Sequence, residues 1–261
     1  MARKSKRGLV ISDLHCGHDV GLTYPSFDAD RGSEKRRYHY DTRRYIWDWY
    51  EKTVTSLPRL DFMIINGDCI DGTSDKTGGT ELLTTDRDEQ AEMAIAAINV
   101  KKAPHIFMSY GTGYHTGNIE DWEDIIARQI KADKIGGEDT IDINGLIINY
   151  RHHISRSSIP HGRFTAIARE TLWNRLWSER GEYPKADVLI RSHVHYAVHC
   201  GSPGWLALIT PALQGYGSKY GSRYVSGSVD IGITYFDITS KDDYEWSFDI
   251  LRMPMKPALK V

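Results

Sequence analysis

The chain has 261 residues, of which 40% are hydrophobic and 26% charged, values typical of a compact protein that can bury a sizeable core. Its net charge of −2 excludes a global electrostatic field that would attract nucleic acid or an anionic membrane. Three cysteines without a CxxC pair argue against a disulfide framework and against a cysteine zinc site.

We expect one domain over residues 1–261 and a cytoplasmic protein. Residues 1–7 are basic and are predicted to form a flexible tail, and the apolar stretch that follows them is too short for a signal peptide. No later segment approaches the roughly 20 consecutive apolar residues of a membrane span. We therefore expect no membrane partner.

Short apolar runs predict six buried strands, at residues 8–11, 62–65, 106–108, 146–148, 188–190 and 206–209. Helical spacing predicts helices over about 34–56, 84–102, 118–131 and 163–179. The Gly- and Ser-rich segment 214–224 is predicted to be a loop, and the alternating segments 230–238 and 244–251 a terminal β-hairpin. An α/β core that ends in antiparallel strands suggests two sheets packed face to face, with helices outside.

Metal-ligand residue types follow five of the six runs, and ligands bind at the carboxyl ends of strands in open α/β sheets. In chain order they are Asp13 and His15, Asp68 and Asp71, His115, His152 and His153, and His193 and His195. A lone histidine is more often a core or surface residue, and an aspartate after a strand often forms a turn. Their combination at successive strand ends favours a metal site over coincidence.

The order Asp-x-His, Gly-Asp-x-x-Asp, Gly…His, His and His-x-His, over residues 9–195, resembles the calcineurin-like metallophosphoesterase family. The resemblance implies a four-layer α/β fold, a β-sandwich of two mixed sheets flanked by helices. It also implies two divalent metal ions, with Asp68 bridging both. The other implied ligands are Asp13, His15 and His195 for one ion, and His193 with a histidine of the fourth strand end for the other. The resemblance favours His152 there, and His153 stays an alternative.

The third motif departs from the family pattern. The family has Gly-Asn-His, whereas this chain has Gly-Thr-Gly-Tyr-His at positions 111–115, so the asparagine ligand is missing. Thr112, a water molecule or Asn118 could supply the oxygen instead. By the resemblance His115 lies near the leaving group as a proton donor. Asp71 either supports this region or caps a helix or turn.

We interpret the chain as a metal-dependent phosphoesterase that cleaves phosphomonoester or phosphodiester bonds with a metal-activated hydroxide. Oxygen and imidazole ligands suit manganese, iron or zinc better than magnesium or calcium. The expected partner is a phosphorylated substrate.

Nucleic acid or a nucleotide is slightly preferred as substrate, because the segment 18–40 is basic and aromatic, with Arg31, Lys35, Arg36 and Arg37. A solvated loop explains that segment as well. The alternative function is a metal-binding, poorly catalytic scaffold that binds a protein partner. Its only support is the missing asparagine.

Overall fold

The computed structural model describes residues 4–28, 39–117, 121–217, 219–224, 227–254 and 258. Eleven strands lie within these ranges. They are β1 (Lys6–Ile11), β2 (Phe62–Asn66), β3 (His105–Ser109), β4 (Lys134–Gly136), β5 (Asp139–Ile143), β6 (Leu146–Tyr150), β7 (Val188–Arg191), β8 (Val198–Ser202), β9 (Trp205–Ile209), β10 (Ile231–Ser240) and β11 (Asp243–Leu251).

The strands form two mixed sheets, with the orders β11-β10-β1-β2-β3-β4 and β5-β6-β7-β9-β8. Strands β1 to β4 run parallel to one another, as do β6, β7 and β9. Their carboxyl ends therefore gather at one edge of each sheet. The predicted terminal hairpin is confirmed as β10–β11, and β10 pairs antiparallel with β1.

Helices cover the outer faces of both sheets. Those in the described ranges are α1 (Tyr40–Ser56), α2 (Arg87–Ile98), α3 (Gly113–Thr116), α4 (Trp122–Ile130), α5 (Gly162–Glu179) and α6 (Lys219–Tyr224). Asp86 and Asp121 cap α2 and α4, because their carboxylates accept hydrogen bonds from backbone N–H groups of the first turn. The four predicted helices correspond to α1, α2, α4 and α5. Helix α2 is shorter than predicted at both ends, and α5 begins one residue earlier than predicted. Residues 34–38 and 118–120 lie outside the described ones.

Alternation along the strands separates the apolar side chains into layers. In β1, Leu9 and Ile11 belong to a core shared with α1, α2 and α4, whereas Val10 belongs to the core between the two sheets. A third core packs α5 against the second sheet through Ala166 and Ile167. The predicted sandwich of two mixed sheets flanked by helices is confirmed.

The structure contains three edge strands and a short helix that the sequence patterns did not predict. Strands β4, β5 and β8 carry no apolar run, because each is a short edge strand with few buried side chains. Segment 214–224 contains the short helix α6 and is not only a loop. No helix among the described residues is both long and apolar enough to cross a membrane.

The flexible tail predicted over residues 1–7 extends too far, because β1 begins at Lys6. Lys6 Nζ lies 3.2 Å from the Asp61 carboxylate, and Arg7 Nε lies 3.0 Å from the Asp237 carboxylate. These two ion pairs hold the start of the strand. Residues 1–3 lie outside the described residues.

Candidate metal centre

The backbone is left-handed at five of the predicted ligand positions. The φ angles are 51° at Asp13, 44° at His15, 52° at Asp68, 74° at His193 and 57° at His195. Such angles are uncommon for residues other than glycine and cost about 1–3 kcal/mol each. Only three other non-glycine residues of the described chain share them. Strain concentrated at these positions indicates a site that the surrounding structure holds in place.

A chain of buried polar side chains lies directly beneath these positions. Its members are Ser12, Thr210, Ser192, Asn66 and Ser109, one at or next to the carboxyl end of each of β1, β9, β7, β2 and β3. Successive members are linked by hydrogen bonds of 2.8, 2.7, 2.6 and 2.7 Å. This polar chain ties the carboxyl ends of the first sheet to those of the second, so the ligand loops of both sheets meet in a fixed register.

The first donor group consists of Asp13, His15 and His195, whose ligand atoms lie within 4.8 Å of one another. The Nε2 atoms of the two histidines are 3.2 Å apart, and Asp13 Oδ1 is 3.3 Å from His195 Nε2. That oxygen is buried and has no hydrogen-bond partner. An unsatisfied buried carboxylate oxygen facing two imidazole nitrogens is the arrangement that a cation would complete.

His15 is prepared to act as a ligand. Its Nδ1 donates to Asp71 Oδ1 at 2.8 Å, which leaves the lone pair of Nε2 facing the donor group. Burial lowers the pKa of His15, so the ring stays neutral at physiological pH. Burial raises the pKa of Asp71, but the neighbouring His18 and His15 together lower it to about 2, so Asp71 is ionised.

The second donor group consists of Asp68, His152 and His193. His152 Nδ1 donates to the Asn66 carbonyl at 2.7 Å, and its Nε2 lies 3.0 Å from Asp68 Oδ2. Two lone pairs cannot face each other at that distance, so a proton or a cation lies between them. Burial lowers the pKa of His152, but the Asp68 carboxylate raises it more strongly, so a cation has to displace this proton on binding.

Asp68 stands between the two groups. Its Oδ2 lies 3.0 Å from His152 Nε2 and 3.8 Å from His15 Nε2. The structure therefore brings together all six residues that the sequence predicts as metal ligands, with Asp68 in the position from which one carboxylate can reach both groups. His153 does not belong to either donor group. Its side chain is exposed, and its ring packs against the ring of His193 with the centroids 4.8 Å apart.

Thr112, one of the residues considered as a substitute for the missing asparagine, lies against the second donor group. Its Oγ1 lies 3.1 Å from His193 Nδ1, 3.2 Å from Asp68 Oδ2 and 3.4 Å from His152 Nε2, so it touches all three members of the second group. Asn118 lies outside the described residues. Burial and the nearby His152 lower the pKa of His193 to about 4, which keeps that ring neutral.

His115 lies on α3 at the edge of the first group. Its Nδ1 donates to the Asp71 carbonyl at 3.1 Å and lies 3.4 Å from the Asp71 carboxylate, and its ring centroid is 4.6 Å from that of His15. The side chain is partly exposed and lines a cavity of about 310 Å³ over the donor groups. Asp71 thus contacts both a predicted ligand and the predicted proton donor.

The donor atoms of these two groups could hold metal ions. Each group offers one carboxylate oxygen and imidazole nitrogens, with a hydroxyl oxygen added in the second. Thiolates are not among these donors. Such mixed oxygen and nitrogen sites suit manganese, iron or zinc.

No protein-family model matches the sequence, and no curated protein sequence matches it either. Solved structures do resemble it. A novel archaeal phosphodiesterase shares 15% identity, covering 93% of this chain and 99% of its own, with a TM-score of 0.46. Vacuolar protein sorting 29 from Cryptosporidium parvum shares 11% identity, covering 95% and 99%, with a TM-score of 0.49.

A conserved protein from Streptococcus pneumoniae, described as a predicted phosphoesterase, shares 12% identity, covering 94% of this chain and 89% of its own, with a TM-score of 0.40. Similarities this weak carry no argument about activity. Function is inferred below from the residues of the site.

Glu123 is a functional residue that sequence reasoning missed. It is fully buried on α4, where Oε1 accepts from Cys69 N–H at 3.0 Å and Oε2 from Gly111 N–H at 2.5 Å. One carboxylate thereby joins the loop that carries Asp68 to the loop that carries Thr112. A Cβ atom at Gly111 would collide with Asp68, so the two loops approach as closely as glycine allows.

The sequence does hold a signal for Glu123. It lies three, four and seven residues before Ile126, Ala127 and Ile130, on the buried face of α4. A carboxylate on an apolar face is a buried polar group that needs partners. Burial and the Asp68 carboxylate raise its pKa to about 8, whereas the two backbone N–H groups lower it.

Replacing Glu123 by Gln should destabilise the metal-free protein by about 1–3 kcal/mol. An amide has one acceptor oxygen, so one of the two buried N–H groups loses its partner and meets an NH₂ donor. Urea unfolding of the metal-free protein at about pH 9 measures the effect, because the carboxyl of Glu123, with a pKa of about 8, is then ionised and both of its oxygens accept. Glu92→Gln, at an exposed position on α2, is the matched control and should change little. Equal unfolding midpoints for both variants would show that Glu123 does not hold the loops.

Proposed function

We propose that this chain is a metal-dependent phosphoesterase of the calcineurin-like type. The observation that supports it most directly is a pair of adjacent donor groups at strand ends where the backbone is left-handed, with Asp68 of the second group 3.8 Å from His15 of the first. Two adjacent cations in such a site lower the pKa of a water molecule and neutralise phosphoryl oxygens during in-line attack. Asp13, His15 and His195 would hold one cation, and Asp68, His152 and His193 the other.

The protein's own residues prepare the site before any cation binds. The neutral rings of His15 and His193 offer lone pairs, and the hydrogen bonds from their neighbours fix how they point. The hydroxyl of Thr112 is the oxygen ligand that we assign to the second cation in place of asparagine. The polar chain and Glu123 keep the loops in register, so little rearrangement accompanies binding.

His115 is the proton donor of this proposal. Its Nδ1–H is committed to the Asp71 carbonyl, which leaves Nε2 to deliver a proton towards the cavity. A scaffold that only binds metal needs no such group, so the position of His115 favours the enzyme over the scaffold alternative.

A phosphodiester, in a nucleic acid or nucleotide, is the substrate class that we prefer. Arg156, Tyr114 and Tyr216 line the cavity around the donor groups. A guanidinium beside aromatic rings suits a second phosphate and a stacked base. The basic residues of the segment 18–40 that first suggested this preference, Arg31, Lys35, Arg36 and Arg37, lie outside the described residues.

The proposal is tested on purified protein loaded with manganese, iron or zinc and freed of excess metal. Bound metal is counted by mass spectrometry, and hydrolysis is followed for a phosphomonoester, a phosphodiester and single-stranded DNA. We expect two ions per chain and turnover, with the diester or DNA preferred. Strong activity on the monoester alone would contradict the substrate class and leave the reaction class intact.

Replacing Asp68 by Asn should abolish hydrolysis and lower the metal content below one ion per chain. The substitution removes the charge that both donor groups share while keeping the shape. Asp242→Asn, at an exposed turn between β10 and β11, is the control and should bind metal normally. Full activity with two bound ions in Asp68→Asn would contradict the proposal that both cations share the Asp68 carboxylate.

Replacing His115 by Ala should leave both ions bound but slow turnover of an alkyl phosphodiester by about 10²–10⁴-fold. The loss should be much smaller for a nitrophenyl ester, whose leaving group departs without a proton. His161→Ala, at an exposed position, is the control. Loss of bound metal would make His115 a ligand, and equal losses on both esters would exclude proton donation.

Replacing Thr112 by Val should lower the affinity for the second cation by roughly 10–100-fold and leave the affinity for the first cation unchanged. Valine keeps the shape and the backbone N–H that donates to Asp68, so only the hydroxyl is lost. Calorimetric titration of metal-free protein separates the two binding steps. Thr85→Val, at an exposed position, is the control. Unchanged second-step affinity would rule out the hydroxyl as a ligand.

A further inference from the structure

Helix α5 carries an exposed apolar face that the metal centre does not use. Its large apolar side chains Phe164, Leu172, Trp173, Leu176 and Trp177 are between 41% and 58% exposed. The buried side chains Ala166 and Ile167 of the same helix pack on the second sheet. Exposed apolar side chains that cluster on one helix mark an interaction surface more often than isolated ones do.

The spacing along this face is that of a helix-pairing seam. Thr165, Arg169, Leu172, Leu176 and Glu179 follow one another at intervals of four, three, four and three residues. This is the heptad spacing that places side chains along a single line of contact between two helices. The seam spans two heptads, which is about four helical turns and about 21 Å of helix length. The exposed indoles of Trp173 and Trp177 flank it on one side.

The seam is complementary to itself when two copies run antiparallel. The midpoint of Leu172 and Leu176 along the helix is also the midpoint of Arg169 and Glu179, so a twofold axis can cross the exposed seam at this level. Leu172 of each copy then meets Leu176 of the other, and Arg169 of each copy meets Glu179 of the other. A parallel arrangement would oppose like charges at both ends of the seam, which is costly.

We propose that α5 is the interface of a symmetric antiparallel dimer of this chain. The leucines and the flanking indoles supply the apolar centre, and two Arg169–Glu179 contacts fix direction and register. In the described structure, Arg169 contacts Ser155 through one nitrogen, a bond on the surface that does not bury the guanidinium. Residues of α5 do not line the cavity over the metal centre, so the dimer leaves both clefts open.

The test is sedimentation velocity of the full chain over a hundredfold range of concentration. We expect a dimer for the wild type, and dissociation constants raised by roughly tenfold or more for Arg169→Glu and for Glu179→Arg, because each opposes like charges twice. An equimolar mixture of the two variants should recover association, since both contacts of the mixed dimer then pair opposite charges. Both positions are exposed, so neither variant should lose its fold.

Arg128→Glu, which makes the same charge change at an exposed position on α4, is the control and should associate like the wild type. Metal content should stay at the wild-type level in all these variants, which separates this proposal from the one above. A wild-type chain that stays monomeric would overturn the dimer. So would single variants that associate normally, or a mixture that does not recover. A monomer that binds anionic vesicles through this face would assign it to a membrane surface instead.

Discussion

The polar chain from Ser12 to Ser109 is the constraint on which the site depends, because the site takes its donors from both sheets. Apolar packing between two sheets is non-directional and tolerates small shifts. Hydrogen bonds between buried hydroxyl and amide groups do not tolerate them, since a buried donor or acceptor without its partner costs about 1–3 kcal/mol. Asn66 bonds to Ser109 in its own sheet and to Ser192 in the other, so it fixes the ends of both.

Next to these hydrogen-bonded side chains, the left-handed backbone of the predicted ligand residues and the carboxyl group of Glu123 complete the positioning of the donor atoms. The backbone of the first two ligand loops stays paired through Asp13 and His15, whose N–H groups donate to the carbonyls of Gly67 and Asp68. Pairing of this kind allows unfavourable φ angles to persist. The result is a site whose donor atoms already face one another, at the expense of strain and of a buried Asp68 charge that His152 balances.

Sequence patterns predicted the layers and the strand-end residues for a simple reason. Strands buried on both faces are continuous apolar runs, and the residue after each run lies at the edge where ligands bind. Edge strands such as β4 and β8 lack that signal. Glu123 and the polar chain were missed because Ser, Thr and Glu are ordinary at turns and helix starts, and their role depends on which distant loop they touch. The helical spacing located α5, but spacing alone did not show that its apolar residues face outwards.

The strained backbone of the ligand residues has a consequence for how such a chain can change. Glycine would relieve the left-handed angle at Asp13, His15 or Asp68, so substitutions that stabilise the fold and substitutions that remove the chemistry coincide at the same positions. Selection for a sturdier protein alone would therefore erase the metal centre first. A lineage keeps these residues only while it gains something from the site that they form.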